Sequence, residues 1–101
     1  MTEKSDRTVG EVRLSGRLIC ASEKDAKIVR DYLPEHVRLT RKEPGCISFE
    51  VSKTDDPMIW RVEECFRDRK AFELHQQRTR YSAWWFATAS IPREYKVTGL
   101  K

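Results

Sequence analysis

From Val12 the chain alternates: Val12, Leu14, Gly16, Leu18 and Cys20 fall on one side, and Arg13, Ser15, Arg17 and Ile19 on the other. That is the period of a strand with one buried face. Ser22 followed three residues later by Asp25 resembles a capping box with Asp in place of Glu, and Ala26, Val29, Leu33 and Val37 then recur at helical spacing. Pro34 lies inside this first helix and lacks an N–H, which predicts a kink, or a stop and restart, before Glu43-Pro44-Gly45. Residues 46–53 alternate again, with Ile47, Phe49 and Val51 opposite Cys46, Ser48 and Glu50; Thr54-Asp55-Asp56-Pro57 reads as a turn. A third strand, Ile59 to Phe66, sets Trp60, Val62, Glu64 and Phe66 on one face. Asp68 caps a second helix that runs through about Arg78, and Ser82 to Ala89 adds a further helical turn or two. Tyr95, Val97 and Gly99 alternate with Glu94, Lys96 and Thr98 in a fourth strand, which Pro92 restricts to an edge or limits at its start.

The order β-α-β-β-α-β predicts a ferredoxin-like α+β fold, with a four-stranded antiparallel sheet, both main helices on one face and the other face open. Residues 1–10 are polar and aperiodic and read as a flexible tail; residues 11–101 form a single domain. A chain of 101 residues buries only about two-thirds of its unfolded surface, so a second copy on the open face would add to a modest core.

Charge narrows the function. Twenty basic and sixteen acidic residues give a net +4, but they interleave, as in Arg67-Asp68-Arg69-Lys70, which fits a solvated surface better than a nucleic-acid footprint. Neither central strand carries the Gly-rich, basic and aromatic motif of RNA-binding ferredoxin-like domains, so no nucleic-acid partner is expected. No apolar run approaches the roughly 20 residues of a membrane span, and the first residues lack a signal-peptide core; a cytoplasmic protein without a membrane partner is expected. Cys20, Cys46 and Cys65 are too widely spaced for a zinc or redox motif and read as free thiols.

His75 is the most informative residue. Ala71, Phe72, Leu74 and His75 make the inner stripe of the second helix, continued by Arg78 and Thr79. A buried leucine there would contribute roughly 1.5–3 kcal/mol, whereas an unpartnered imidazole would cost about 1–3 kcal/mol. The histidine therefore implies either a core partner such as a backbone carbonyl, or a pocket. Glu64, a carboxylate among Trp60, Val62 and Phe66, is either paired across the sheet with Arg13, Arg17 or Arg93, or sits in a cavity where it converges with His75. Gly16 marks a close approach by a helix or ligand, or a bulge. Of the adjacent Trp84 and Trp85 only one can face inward. His36 shares a stripe with Ile28 and Tyr32, and two histidines without ligand spacing do not make a metal site.

The segments Thr40-Arg41-Lys42-Glu43-Pro44-Gly45-Cys46, Phe49-Glu50-Val51, Glu64-Cys65-Phe66-Arg67-Asp68 and Ala71-Phe72-Glu73-Leu74-His75 together make one pattern. Over roughly Val12 to Leu100 the chain resembles the antibiotic biosynthesis monooxygenase family of dimeric α+β barrel proteins. The resemblance implies a homodimer formed through the open sheet faces. It also implies a pocket between sheet and helices that binds a small phenol or quinol, oxidised by dioxygen without flavin, haem or metal. His75 matches the family's helix-two histidine, Glu64 its strand-three glutamate, and Phe66 an aromatic position often held by tryptophan. Phe66 offers no indole donor, which argues against haem degradation. In this reading His75 is the general base and Glu64 orients it or stabilises its protonated form. Arg78 stabilises the developing phenolate, and Trp60, Phe66, Phe72 and Trp84 form the walls. An isomerase using the same pocket, and a non-catalytic ligand-binding dimer, are the alternatives.

Overall fold

In the computed structural model, which describes residues 10–100, the chain forms β1 (Val12–Ile19), α1 (Glu23–Arg41), β2 (Cys46–Lys53), β3 (Ile59–Phe66), α2 (Arg69–Arg80), α3 (Ala83–Thr88) and β4 (Arg93–Thr98). The expected tail lies, except for Gly10, outside the described residues. The strands are all antiparallel in the order β2-β3-β1-β4, the ferredoxin-like α+β arrangement, with β4 at an edge as Pro92 requires. No described helix is long and apolar enough to cross a membrane, and the three cysteines are free thiols.

The helices begin where their caps are. Ser22 Oγ accepts from the Asp25 N–H at 3.3 Å while the Asp25 carboxylate accepts from the Ala21 N–H at 3.0 Å, a reciprocal cap. Asp68 caps α2 by accepting from the Ala71 N–H at 2.8 Å, and Ser82 caps α3 through the Trp85 N–H at 3.2 Å. Contrary to the expected interruption, α1 runs continuously through Pro34. The proline sits on the solvent side, where water can satisfy the carbonyl that its missing N–H leaves free.

Both inner stripes differ in detail from the expected ones. On α1 the buried residues are Ala26, Val29, Leu33, His36 and Thr40, a regular three-four-three-four spacing that includes His36 and leaves Val37 at the flank. On α2 only Phe72 and His75 are buried; Leu74 is 55% exposed because the stripe continues through Thr79 and is one residue wide. In β2 a bulge between Cys46 and Ser48 breaks the alternation. Cys46 packs against the core opposite Phe66, and Ile47 is displaced outward and exposed, while Phe49 and Val51 keep their inward places.

Register then fixes which side chains meet beneath the helices. Glu64 on β3 lies between Phe49 of β2 and Leu14 of β1, and the next inward row runs Val51, Val62, Gly16 and Tyr95. Around this row Leu18, Trp60, Val62, Phe66, Val29, Leu33, Phe72 and Trp84 make one core. The opposite sheet face is polar: Ser15 donates to Glu63 at 2.8 Å, and Arg17 pairs with Glu94 across β1 and β4.

Gly16 is a close approach of backbone to backbone and ring: a Cβ there would lie 2.0 Å from the Glu94 carbonyl oxygen and 2.6 Å from Tyr95 Cδ1. Gly16→Ala should therefore lose about 1–3 kcal/mol in urea unfolding, the range for forced overpacking. A loss within a few tenths of a kcal/mol would show that Tyr95 is not seated over β1.

Candidate functional site

The turn between α1 and β2 docks directly on α2. Gly45 is buried there, and a Cβ on it would fall 2.2 Å from Ala71 Cβ, so only glycine allows this approach. Its carbonyl accepts from the Arg67 N–H at 2.9 Å. Two residues earlier, Glu43 is thereby held against α2: its Oε1 lies 3.0 Å from His75 Nδ1, and its Oε2 accepts from Arg78 Nε. Arg78 donates a further bond to Thr40 Oγ1 at 3.0 Å. Burial alone would raise the Glu43 pKa, but the bonds from His75 and Arg78 outweigh it and hold the carboxyl below its ordinary range. A carboxylate can only accept, so His75 donates from Nδ1, which in the neutral ring leaves Nε2 as a lone pair.

That nitrogen faces two groups, Thr79 Oγ1 at 3.4 Å and Glu64 Oε1 at 3.9 Å. The histidine is 2% exposed, wedged between Phe66 and Phe49 at centroid distances of 4.8 and 5.8 Å. Among the described residues Glu64 finds no arginine across the sheet; its one ion-pair contact there is His75, and its Oε1 is buried without a hydrogen-bond partner. Burial, opposed by His75 and reinforced by the charge of Glu43, pushes Glu64 up to about 7. His36, which the sequence placed on a peripheral stripe, stacks flat on Trp84 with centroids 4.9 Å apart. Burial, then the nearby His75 and Arg78, pulls it down to about 3, so it stays neutral. Among the described residues no group of three or more His, Cys, Asp or Glu converges as a metal site requires.

A cavity of about 250 Å³ opens between sheet and helices against these groups. Of the residues singled out in the sequence, His75, Glu64 and Trp84 line it. Phe66 backs the imidazole, Phe72 packs edge-on against Phe66, and Trp60 is buried in the core beside Leu18; none of the three is a wall. Gly16 acts indirectly, by admitting Tyr95, which is a wall. Arg78 does not line this cavity; its donors go to Glu43 and Thr40, which locks the carboxylate that orients His75. Glu43 was not singled out as a chemical residue. Its signal was present in the Glu-Pro-Gly turn, since a proline-glycine pair ending a helix fixes the direction of whatever precedes it.

The fold and this acid–imidazole–acid line define a ferredoxin-like α+β protein with a candidate site in the cavity between sheet and helices. Residues 18–85 match the model of the antibiotic biosynthesis monooxygenase family, two-thirds of the chain, and the protein belongs to that family. No curated protein matches it. Among solved structures it is similar to a conserved protein from Methanosarcina mazei Go1, with a TM-score of 0.79 at 15% identity over 96% of this chain and 99% of that one. It is also similar to Rv0793 from Mycobacterium tuberculosis, at 0.69 and 22% identity over 87% and 92%. A third is SnoaB, a cofactor-independent oxygenase from Streptomyces nogalater, at 0.74 and 12% identity over 91% and 94%. At these identities the likeness is one of fold.

The Glu64 carboxyl gives a signed pH effect. With a folded pKa raised to about 7 and an ordinary value near 4.5, the native state holds a proton that the unfolded state has lost between those pH values. Stability contributed by Glu64 therefore falls as pH rises from about 4.5 to 7. His36 acts in the opposite sense, its stability loss growing as pH falls from about 6.5 toward 3, so the test must be a difference between proteins. Relative to wild type, Glu64→Gln should gain roughly 2–3 kcal/mol between pH 4.5 and 8 in denaturant unfolding. A pH-independent difference would mean that Glu64 titrates normally.

Proposed function

We propose that the protein is a cofactor-independent monooxygenase of a small phenol or quinol, with His75 as the general base. The observation that carries this reading is the alignment of Glu43, His75 and Glu64: His75 and Glu64 line the cavity, His75 Nε2 faces Glu64, and Nδ1 is tied to an ionised carboxylate. Nε2 takes the proton of the substrate hydroxyl, and Glu43 stabilises the imidazolium that results. The phenolate passes one electron to dioxygen, and the superoxide and substrate radical combine at an unsubstituted ring carbon as a peroxide anion, which takes the proton back from the His75 imidazolium to become a hydroperoxide. Loss of that carbon's proton and cleavage of the O–O bond leave a quinone carbonyl. The departing hydroxide takes a proton to become water, so one oxygen atom enters the product and the substrate supplies all the electrons. Glu64, protonated below pH 7, donates to the substrate oxygen or returns the proton.

A volume of about 250 Å³ suits one ring or a fused pair. A second copy of the chain on the polar outer sheet face is part of the proposal. Serine, arginine and glutamate side chains alternate there and are self-complementary across a two-fold axis. Sedimentation should give twice the 11.9 kDa chain mass; a monomer at micromolar concentration contradicts this assembly.

Oxygen uptake with a panel of one- and two-ring phenols and quinols tests the chemistry. His75→Gln should lower kcat by about 10²–10⁴, the range for a lost general base. Glu43→Gln should lower it by about tenfold with little change in KM. Product that forms equally well under strict anaerobiosis would replace this reading with an isomerase, and unchanged turnover in His75→Gln would make the histidine a packing residue.

A further inference from the structure

The distribution of arginines bears on what the cavity holds. Every described arginine from Arg13 to Arg78 lies in an ion pair with a carboxylate. The two that have none, Arg80 and Arg93, are the two on the cavity wall. Arg93 is fixed by the protein, donating to the carbonyls of Thr88 and Ile91 at 2.9 Å each and to Thr88 Oγ1 at 2.7 Å, with its guanidinium 5.1 Å over the Trp85 ring. Arg80 makes no side-chain hydrogen bond or ion pair among the described residues, so its whole fork is free. The sole carboxylate on the wall is Glu64, at the inner end beside His75. Among the described residues the cavity wall thus sets two guanidinium groups against one carboxyl at its inner end, and Glu73, which borders the outer groove with Arg80, pairs with Arg69.

Placement along α2 gives the distance. His75 and Thr79 form the inner ridge of the helix, and Gln76 and Arg80 the next ridge outward. Gln76 and Arg80 border both the cavity and the shallow surface groove outside it, so they stand at the mouth. Arg80 lies five positions beyond His75, about 7.5 Å along the helix axis, comparable to one aromatic ring with a substituent at each end.

We propose that the substrate is an anionic aromatic, a one-ring phenol or quinol bearing a carboxylate, whose acid group is held by Arg80 at the mouth while its hydroxyl reaches His75. The proposal deepens the monooxygenase reading and rests on it only for the position of the hydroxyl. Gln76 is the neutral donor beside the carboxylate, and Arg93 adds positive potential from a fixed position.

The test is calorimetric titration, under nitrogen so that nothing is consumed, with 2,5-dihydroxybenzoate and with 2,5-dihydroxybenzamide, its uncharged analogue of similar size. The acid should bind about tenfold tighter than the amide, and the preference should shrink as sodium chloride is added. Arg80→Gln should bring the acid to the level of the amide and leave the amide unchanged, and Arg80→Lys should keep part of the preference. Equal binding of acid and amide, a preference that persists in Arg80→Gln, or no binding of either at millimolar concentration would overturn the proposal. Selective acid binding without oxygen uptake would uphold the anion site and reject the monooxygenase chemistry.

Discussion

Glu43 carries one negative charge into contact with two side chains of α2, His75 and Arg78, one helical turn apart. Burial of a carboxylate is unfavourable until its oxygens are occupied, and here both are. The consequences run in two directions. Structurally, the contact ties the end of α1 to α2, with Thr40 completing the link through Arg78. Chemically, it decides which imidazole nitrogen is protonated, and so which one the cavity meets.

The rest of the site follows from what can lie opposite that nitrogen. Antiparallel register on β3 puts Glu64 between Leu14 and Phe49, a position with no arginine or backbone donor in reach, so its carboxyl is driven toward the neutral form. One carboxyl is held ionised by donors and the other is held neutral by their absence, on either side of the same histidine. Such a separation suits one carboxyl to accept and the other to donate a proton. The aromatic residues set the shape around it: Phe66 and Phe49 hold the imidazole, while the His36–Trp84 stack closes one side of the cavity.

Much of this was legible in the residues. Alternation located all four strands, since period-two burial is a local property, and the Ser22 and Asp68 caps marked the starts of the two main helices. His75 and Glu64 stood out because a polar group on an apolar stripe has few inexpensive explanations. The arginine partners offered for Glu64 could not be excluded from the sequence, because register, not composition, decides which residues lie opposite. His36 was misplaced because Val37 competes for the same turn, and only packing against Trp84 selects between them. The bulge that turns Ile47 outward left no mark that alternation could reveal. Arg78 and Glu43 exchange significance for the same reason: their pairing spans 35 residues and depends on how tightly the Gly45 turn meets Ala71.

Glu43 fixes the proton of the neutral His75 ring on Nδ1 and leaves Nε2 bare on the side of Glu64. Nitrogen-15 NMR of the labelled imidazole reads this directly, because protonated and bare ring nitrogens resonate far apart. At a pH where the ring is neutral, His75 should show a protonated Nδ1 and a bare Nε2, and the two should lose that distinction in Glu43→Gln. A spectrum with the proton on Nε2, or an even mixture of tautomers in the wild-type protein, would contradict it.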